Sequence, residues 1–232
     1  MAQPKLHNIY KPNPGMSTDK GDFNQIQWGI HRDAGFVVGK SSFPVFFTAD
    51  GHNVHLEDYA KGASIFICTK ETRRVPPSVH TMAIDQCQCD PNIILINSLA
   101  NIDQKHLLSP SVIKLAPTAA ASQQINGKML AHFPFVFYFR KHKSFNASSF
   151  FLEETIWSDN CLSIMSAIKL AYMLGYRNVY LGDIIQDDKL YGSIKMLLKH
   201  TESVGLKLFK IGQGPEEIPT IDSSEAFKKC IL

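Results

Sequence analysis

The sequence predicts an α/β fold: Rossmann-like, with a largely parallel sheet flanked by helices and an extended N-terminal arm. Three observations carry this reading. Trp157 to Gln186 reads as a helix, a glycine stop, a short buried strand and a loop bearing an acid. Ser64 to Cys68, SIFIC, is an almost unbroken apolar run, the mark of a strand covered on both faces. Along the C-terminal half, β-prone runs alternate with helical stretches, the order that a parallel sheet with helical crossovers produces.

The chain divides into an arm, residues 1–33, and a single α/β domain, residues 34–232. Pro4, Pro12, Pro14, Gly15 and Gly21 interrupt the arm, which has few apolar residues and is expected to be ordered only by docking on its own domain or a neighbouring subunit. In the domain, Phe36 to Val38 and Val45 to Phe47 are β-prone, and Leu56 to Ala60 is read as a short helix ending near Gly62. Val79 to Asp85, Ile93 to Ile96 and Val112 to Leu115 are predicted strands, with a helical turn at Gln104 to Leu108 between the last two. Thr118 to Ala131 is predicted helical, weakened by Gly127, and Phe135 to Phe139 is strongly β-prone.

The helix after Trp157 has Ser158, Asp159 and Asn160 available as caps. Leu162, Met165, Ile168, Leu170, Tyr172 and Met173 recur at helical spacing, and Ala167 and Ala171 let that face lie close to a sheet. Gly175 suits the left-handed position beyond the helix end, and Arg177 sets positive charge near its carbonyls. Val179 to Leu181 is the strand that follows. Leu190 to Val204 forms a second helix stopped at Gly205, Leu206 to Ile211 a strand, and Asp222-Ser223-Ser224-Glu225 a capping box before a terminal helix.

Composition narrows the function classes. At 232 residues, with 44% hydrophobic and 19% charged residues, the chain can bury one substantial core. A net charge of +3 without a dense Lys/Arg stripe argues against a nucleic-acid partner. The polar, proline-rich start resembles no signal peptide and no window matches a membrane span, so the expected location is cytoplasmic, in a host cell if the protein is viral. The 5 cysteines show neither a disulfide framework nor paired CxxC spacing, so reduced thiols are expected and no metal site is assigned.

Asp183 is the leading candidate residue. At a strand's carboxyl end, where open α/β sheets bind ligands, it would hold a ribose hydroxyl, a sugar or a metal, or else cap the turn. Asp187 and Asp188 read as caps of the next helix, or as further ligands to a divalent ion. Gly51 and Asn53 occupy a predicted strand-to-helix turn whose amides would meet a phosphate, the alternative being an ordinary loop. Asp85 ends a strand, and Ser158 and Ser163 open the organising helix as caps or ligand contacts. His52, His55 and His132 have no carboxylate partner evident in the sequence.

The run from Ser163 to Asp183, SIMSAIKLAYMLGYRNVYLGD, resembles a block in bacterial glycan-modifying proteins. These are the lipooligosaccharide sialyltransferases and the glycosyltransferase-associated 6-hydroxymethylpterin-diphosphokinase-like proteins. Their Ala-rich helix ends in Leu-Gly-Tyr and their strand leads to a Gly and an Asp. The resemblance implies a crevice formed by Gly51, Asn53, Asp85, Ser163 and Asp183, binding a nucleotide-activated sugar for transfer to a glycan acceptor. It also implies a histidine base beyond the Gly-Asp strand, for which His200 is the nearest candidate. The family's first loop, Gly-x-Gly-Pro-Ser, is replaced here by Ala49-Asp50-Gly51-His52-Asn53.

A sialyltransferase-like glycosyltransferase using a nucleotide sugar as donor substrate is therefore the first functional expectation. The alternative is a non-catalytic α/β protein, including a viral structural or accessory protein, that assembles with itself or a partner through the arm. A nucleotide-binding or diphosphokinase-like module is a third.

Overall fold

The computed structural model describes residues 10, 11, 46–49, 53, 54, 56, 59–70, 72, 75–139, 141, 142, 156, 157, 163–182, 184 and 188–231. Of residues 10, 11, 53, 141, 142, 156, 157, 163 and 189 only the backbone is described. The strands in chain order are β1 (Tyr10–Lys11), β2 (Phe46–Phe47), β3 (Asn53–Val54), β4 (Ser64–Cys68), β5 (Thr81–Ile84), β6 (Ile93–Leu95) and β7 (Ile113–Pro117). They continue with β8 (Gln124–Ile125), β9 (Lys128–Met129), β10 (Val136–Phe139), β11 (Lys141–His142), β12 (Ile156–Trp157), β13 (Asn178–Leu181) and β14 (Lys207–Lys210). The described α-helices are α1 (Gln104–Leu108), α2 (Ser163–Met173), α3 (Asp188–Thr201) and α4 (Ser223–Lys229).

A 10-stranded sheet has the order β1-β3-β2-β10-β7-β6-β5-β4-β13-β14. From β10 through β14 every neighbouring pair is parallel. The predicted parallel sheet flanked by helices is thus the architecture. The other end differs: β2 runs antiparallel to β10, and β2, β3 and β1 pair antiparallel in turn. β2 and β3 make a hairpin, and where a helix was expected at Leu56 to Ala60, Tyr59 to Gly62 form turns.

Side chains alternate across the sheet with the two-residue period of a strand. Ile65, Ile67, Met82, Ile84, Ile93, Leu95, Val179 and Leu181 join one cluster with Met165, Ile168 and Leu170 of α2 and Ile194 and Leu197 of α3. The intervening residues fill two clusters: Ala83, Ile94, Ala116 and Tyr138 in one, and Phe66, Cys68 and Tyr180 with Ala226 and Cys230 in the other. Burial of each such Ile, Leu or Phe is worth roughly 1.5–3 kcal/mol, and two covered faces explain why SIFIC is nearly all apolar.

The helix-to-strand unit forms as its residues dictate. Tyr176 N–H donates to Ala171 O (3.0 Å) and Gly175 N–H to Tyr172 O (3.0 Å), the paired bonds of a Schellman stop. Gly175 has φ +95°, and the Arg177 guanidinium donates to the carbonyls of Tyr172 (3.2 Å) and Tyr176 (2.9 Å). At α4, the Asp222 carboxylate accepts from Ser224 N–H at 2.8 Å, while Glu225 accepts from Lys229 at 2.6 Å rather than closing the box.

Thr118 to Ala131 is not an α-helix. A 3-10 turn at Thr118–Ala120 leads to the β8–β9 hairpin, whose tip is Asn126-Gly127 with φ +50° and +76°. Asn-Gly is the pair that a two-residue hairpin turn with positive φ favours, and it overrides the helical leaning of the alanines.

Candidate functional site

From β4 the sheet is laid down outward through β5, β6 and β7 to β10; the chain then returns to β4's other side with β13 and β14. The connections leaving β4 and β13 therefore run to opposite sides in the strand order, the arrangement at which open α/β sheets bind ligands beyond the strand ends. This topological switch point is the candidate site.

On the β4 side, Thr69 to Thr72 form a turn that closes on itself. Thr72 N–H donates to Thr69 O at 3.0 Å, Thr69 N–H donates to Thr72 Oγ1 at 2.9 Å, and the two hydroxyls lie 3.3 Å apart. Thr72 is buried, whereas Lys70 is exposed. On the β13 side, Gly182 N–H donates to Ile67 O at 3.0 Å, which ties the two strand ends together. A Cβ on Gly182 would lie 2.5 Å from Thr72 Oγ1 and 3.2 Å from Ile67 O, so only glycine fits unless the threonine moves. Asp183, next along the chain, lies outside the described residues.

Asp85 follows β5 on the same rim. It adopts φ +56°, and its main-chain N–H donates to Leu95 O at 2.9 Å. Its Oδ1 accepts from Asn97 N–H at 2.5 Å and from Ser98 N–H at 2.8 Å. Burial raises its carboxyl above the usual range, with the two amide bonds opposing that rise. This carboxylate fastens the chain beyond β6 to the end of β5, so its first job is to shape the rim.

Ser163 opens α2, whose chain runs down to the start of β13, so its backbone also belongs to the carboxyl rim. His200 does not. It sits in the last turn of α3, the helix that carries the chain from β13's carboxyl end to β14's amino end, and its carbonyl accepts from Ser203 Oγ at 2.7 Å. Asn53 is a strand residue of β3, opposite Phe47 and Lys11. Because β2 runs against β10, the chain beyond Phe47 heads to the amino rim, away from Asp85 and Gly182. The predicted strand-to-helix phosphate turn is thus a hairpin connection in an antiparallel pair; Gly51 itself lies outside the described residues. The turn that topology places at the switch point is the one after β4. Its signal in the sequence was Thr69-x-x-Thr72 directly after the apolar strand Ser64–Cys68.

A second concavity, missed in the sequence, lies at the carboxyl end of β14. A pocket of about 620 Å³ is lined by Tyr191 and Lys195 of α3, Lys210, and the loop 212–217. Lys210 is 8% exposed and donates from Nζ to Gly214 O (2.9 Å) and Pro215 O (2.7 Å), so it builds the wall. Lys195 and Glu217 pair at 2.6 Å, a contact that holds Glu217 below and Lys195 above their usual ranges.

Among the described residues no group of three or more His, Cys, Asp or Glu is arranged to hold a metal ion, and no helix is long and apolar enough to cross a membrane. No family model, curated protein or solved structure matches the chain.

Proposed function

We propose that this protein is a transferase of the glycosyltransferase type that takes a nucleotide-activated sugar in the crevice between β4 and β13. The observation that supports it is the close approach of Gly182 to Thr72 at the switch point: β4 and β13 end side by side, with an exposed cation, Lys70, on one lip and Asp183 next in sequence to the other. In this reading Lys70 faces the diphosphate as a counter-charge. Asp183 accepts from a ribose or sugar hydroxyl, the backbone at Ser163 stands on the same rim, and Asp85 holds the rim in shape. The pocket lined by Tyr191, the Lys195–Glu217 ion pair and the loop 212–217 is the proposed seat of the glycan acceptor. His200, at the opposite rim, has no part.

The test is thermal unfolding of the full chain against nucleoside diphosphates, cytidine monophosphate and nucleotide sugars, with and without Mg²⁺ or Mn²⁺. A ligand at a hundred times its Kd stabilises the fold by about 2.7 kcal/mol, a melting shift of several degrees. The expected result is a shift with one class of nucleotide sugar that Asp183→Ala and Lys70→Ala both abolish. No shift with any of them would sink this reading; sedimentation of the chain with and without residues 1–33 would then test assembly through the arm.

A further inference from the structure

Three cysteines that show no recognisable spacing in the sequence meet in the fold. Cys68 is the last residue of β4 and is buried; Cys87 and Cys89 lie half-buried on the connection from β5 to β6. Cys89 Sγ is 3.1 Å from Cys87 Sγ and 3.7 Å from Cys68 Sγ. Cys87 Sγ also donates to Cys89 O at 3.3 Å. The Cys68 side chain reaches the others because β4's alternation turns it to the face covered by α4, where Cys87 and Cys89 also pack. The three sulfurs are not arranged for a metal ion.

From this contact geometry we infer that Cys87, Cys89 and Cys68 form a thiol relay, a reversible oxidation site with Cys89 as its central sulfur. The co-reactant is a small disulfide of the glutathione class. The thiolate of Cys87 attacks one sulfur of that disulfide, forming a mixed disulfide and expelling one small thiolate, which takes up the proton Cys87 lost. Cys89, already in contact, then attacks the Cys87 sulfur. The Cys87–Cys89 bond forms, the mixed disulfide breaks, and a second small thiol leaves with the Cys89 proton. Two protein thiols are thereby oxidised and one external disulfide is reduced to two thiols. Attack by Cys68 on Cys89 moves the bond inward to Cys68–Cys89 and frees Cys87, with no further change in oxidation state.

The environment sets the rates. Hydrogen bonding to Cys68, together with burial, pushes the Cys89 thiol up to about 12, and hydrogen bonding to Cys89 raises that of Cys87. Only the thiolate attacks, so the first, bimolecular step is slow. The second carries the same penalty on Cys89 but is intramolecular between sulfurs already in contact, and that proximity makes it the faster step. Mixed disulfide therefore does not accumulate. Cys68 immediately precedes Thr69, so the inward position of the bond adjoins the switch-point turn.

The experiment uses the full chain, reduced and freed of reductant, then incubated with glutathione disulfide, alkylated under denaturing conditions and mapped after trypsin. Cleavage leaves Cys87 and Cys89 together in peptide 75–105 and Cys68 in peptide 62–70. The expected products from the unaltered protein are peptide 75–105 lacking two hydrogens and, where the bond has moved inward, peptide 62–70 joined to 75–105, both restored by reduction, with little glutathione attached. In Cys87→Ser the bond should instead join peptide 62–70 to 75–105. In Cys89→Ser neither bond should form and glutathione should remain on Cys87. Accumulation of the mixed disulfide on the unaltered protein would overturn the relay. So would a Cys68–Cys87 bond forming as readily in Cys89→Ser, or a thiophilic metal co-purifying in stoichiometric amount. Mapping the unaltered protein decides the first closure even if a variant fails to fold.

Discussion

Gly182 and Thr72 meet so closely that a methyl group on Gly182 would lie 2.5 Å from the Thr72 hydroxyl oxygen. The contact locks the end of β13 onto the turn that closes β4, the two strands between which the chain reverses its direction across the sheet. Gly182→Ala should cost roughly 1–3 kcal/mol, the usual range for overfilling a packed site. Thr72→Ala should also destabilise, by loss of the bond to Thr69 N–H. The double variant should fall well short of the sum, because removing the threonine hydroxyl removes the clash; equilibrium denaturation of the four proteins measures this coupling.

Asp85 is held at φ +56° while its carboxylate serves two amides. Asparagine tolerates that backbone and keeps an acceptor oxygen, and it carries no charge to bury. Asp85→Asn should therefore change stability by less than about 1 kcal/mol, whereas Asp85→Ala should lose roughly 2–4 kcal/mol through two unpaired amides and a strained φ. Urea midpoints of the pair distinguish the contributions; equal losses would show that charge, not the acceptor, matters.

His80 is 3% exposed, and its Nε2 lies 2.8 Å from the Tyr176 hydroxyl. Burial lowers its pKa from 6.5 to about 4. The folded state thus binds the proton less readily than the unfolded chain. The stability this contributes is complete above the unfolded pKa and falls away as pH drops from about 6.5 to about 4, by up to roughly 3 kcal/mol. Denaturation at a series of pH values should show the slope, and His80→Gln, which keeps an acceptor for Tyr176, should flatten it.

The tip of the β8–β9 hairpin offers a local test. Gly127 has φ +76° with open space around its α-carbon. Gly127→Ala should cost about 1 kcal/mol from backbone conformation alone, with no steric term, and Gly127→Asn should cost less.

Local structure was readable wherever nearest neighbours decide it. The Schellman stop from Ala171 to Tyr176 and the Arg177 contact with the helix carbonyls depend on residues a few positions apart, and the run SIFIC carries the apolar pattern of its own two-sided burial. Each was therefore written in the sequence. Asn126-Gly127 was readable too, but the surrounding alanines masked a turn that two positive φ angles require.

By itself the sequence determined a largely parallel α/β sheet with a helix-strand unit ending at Gly182-Asp183, because side-chain period and capping chemistry act within a few residues. Tertiary structure alone decided which strands adjoin and in which direction. Phe46–Phe47 looks as β-prone as any parallel strand, but pairing against β10 reverses it and sends the chain after Phe47 to the far rim. The same pairings seat Thr72 against Gly182 and bring Cys68 to Cys89 across 21 positions of sequence. Strand direction and neighbour choice follow from burying whole faces of the sheet at once, a global balance that no short window of sequence contains.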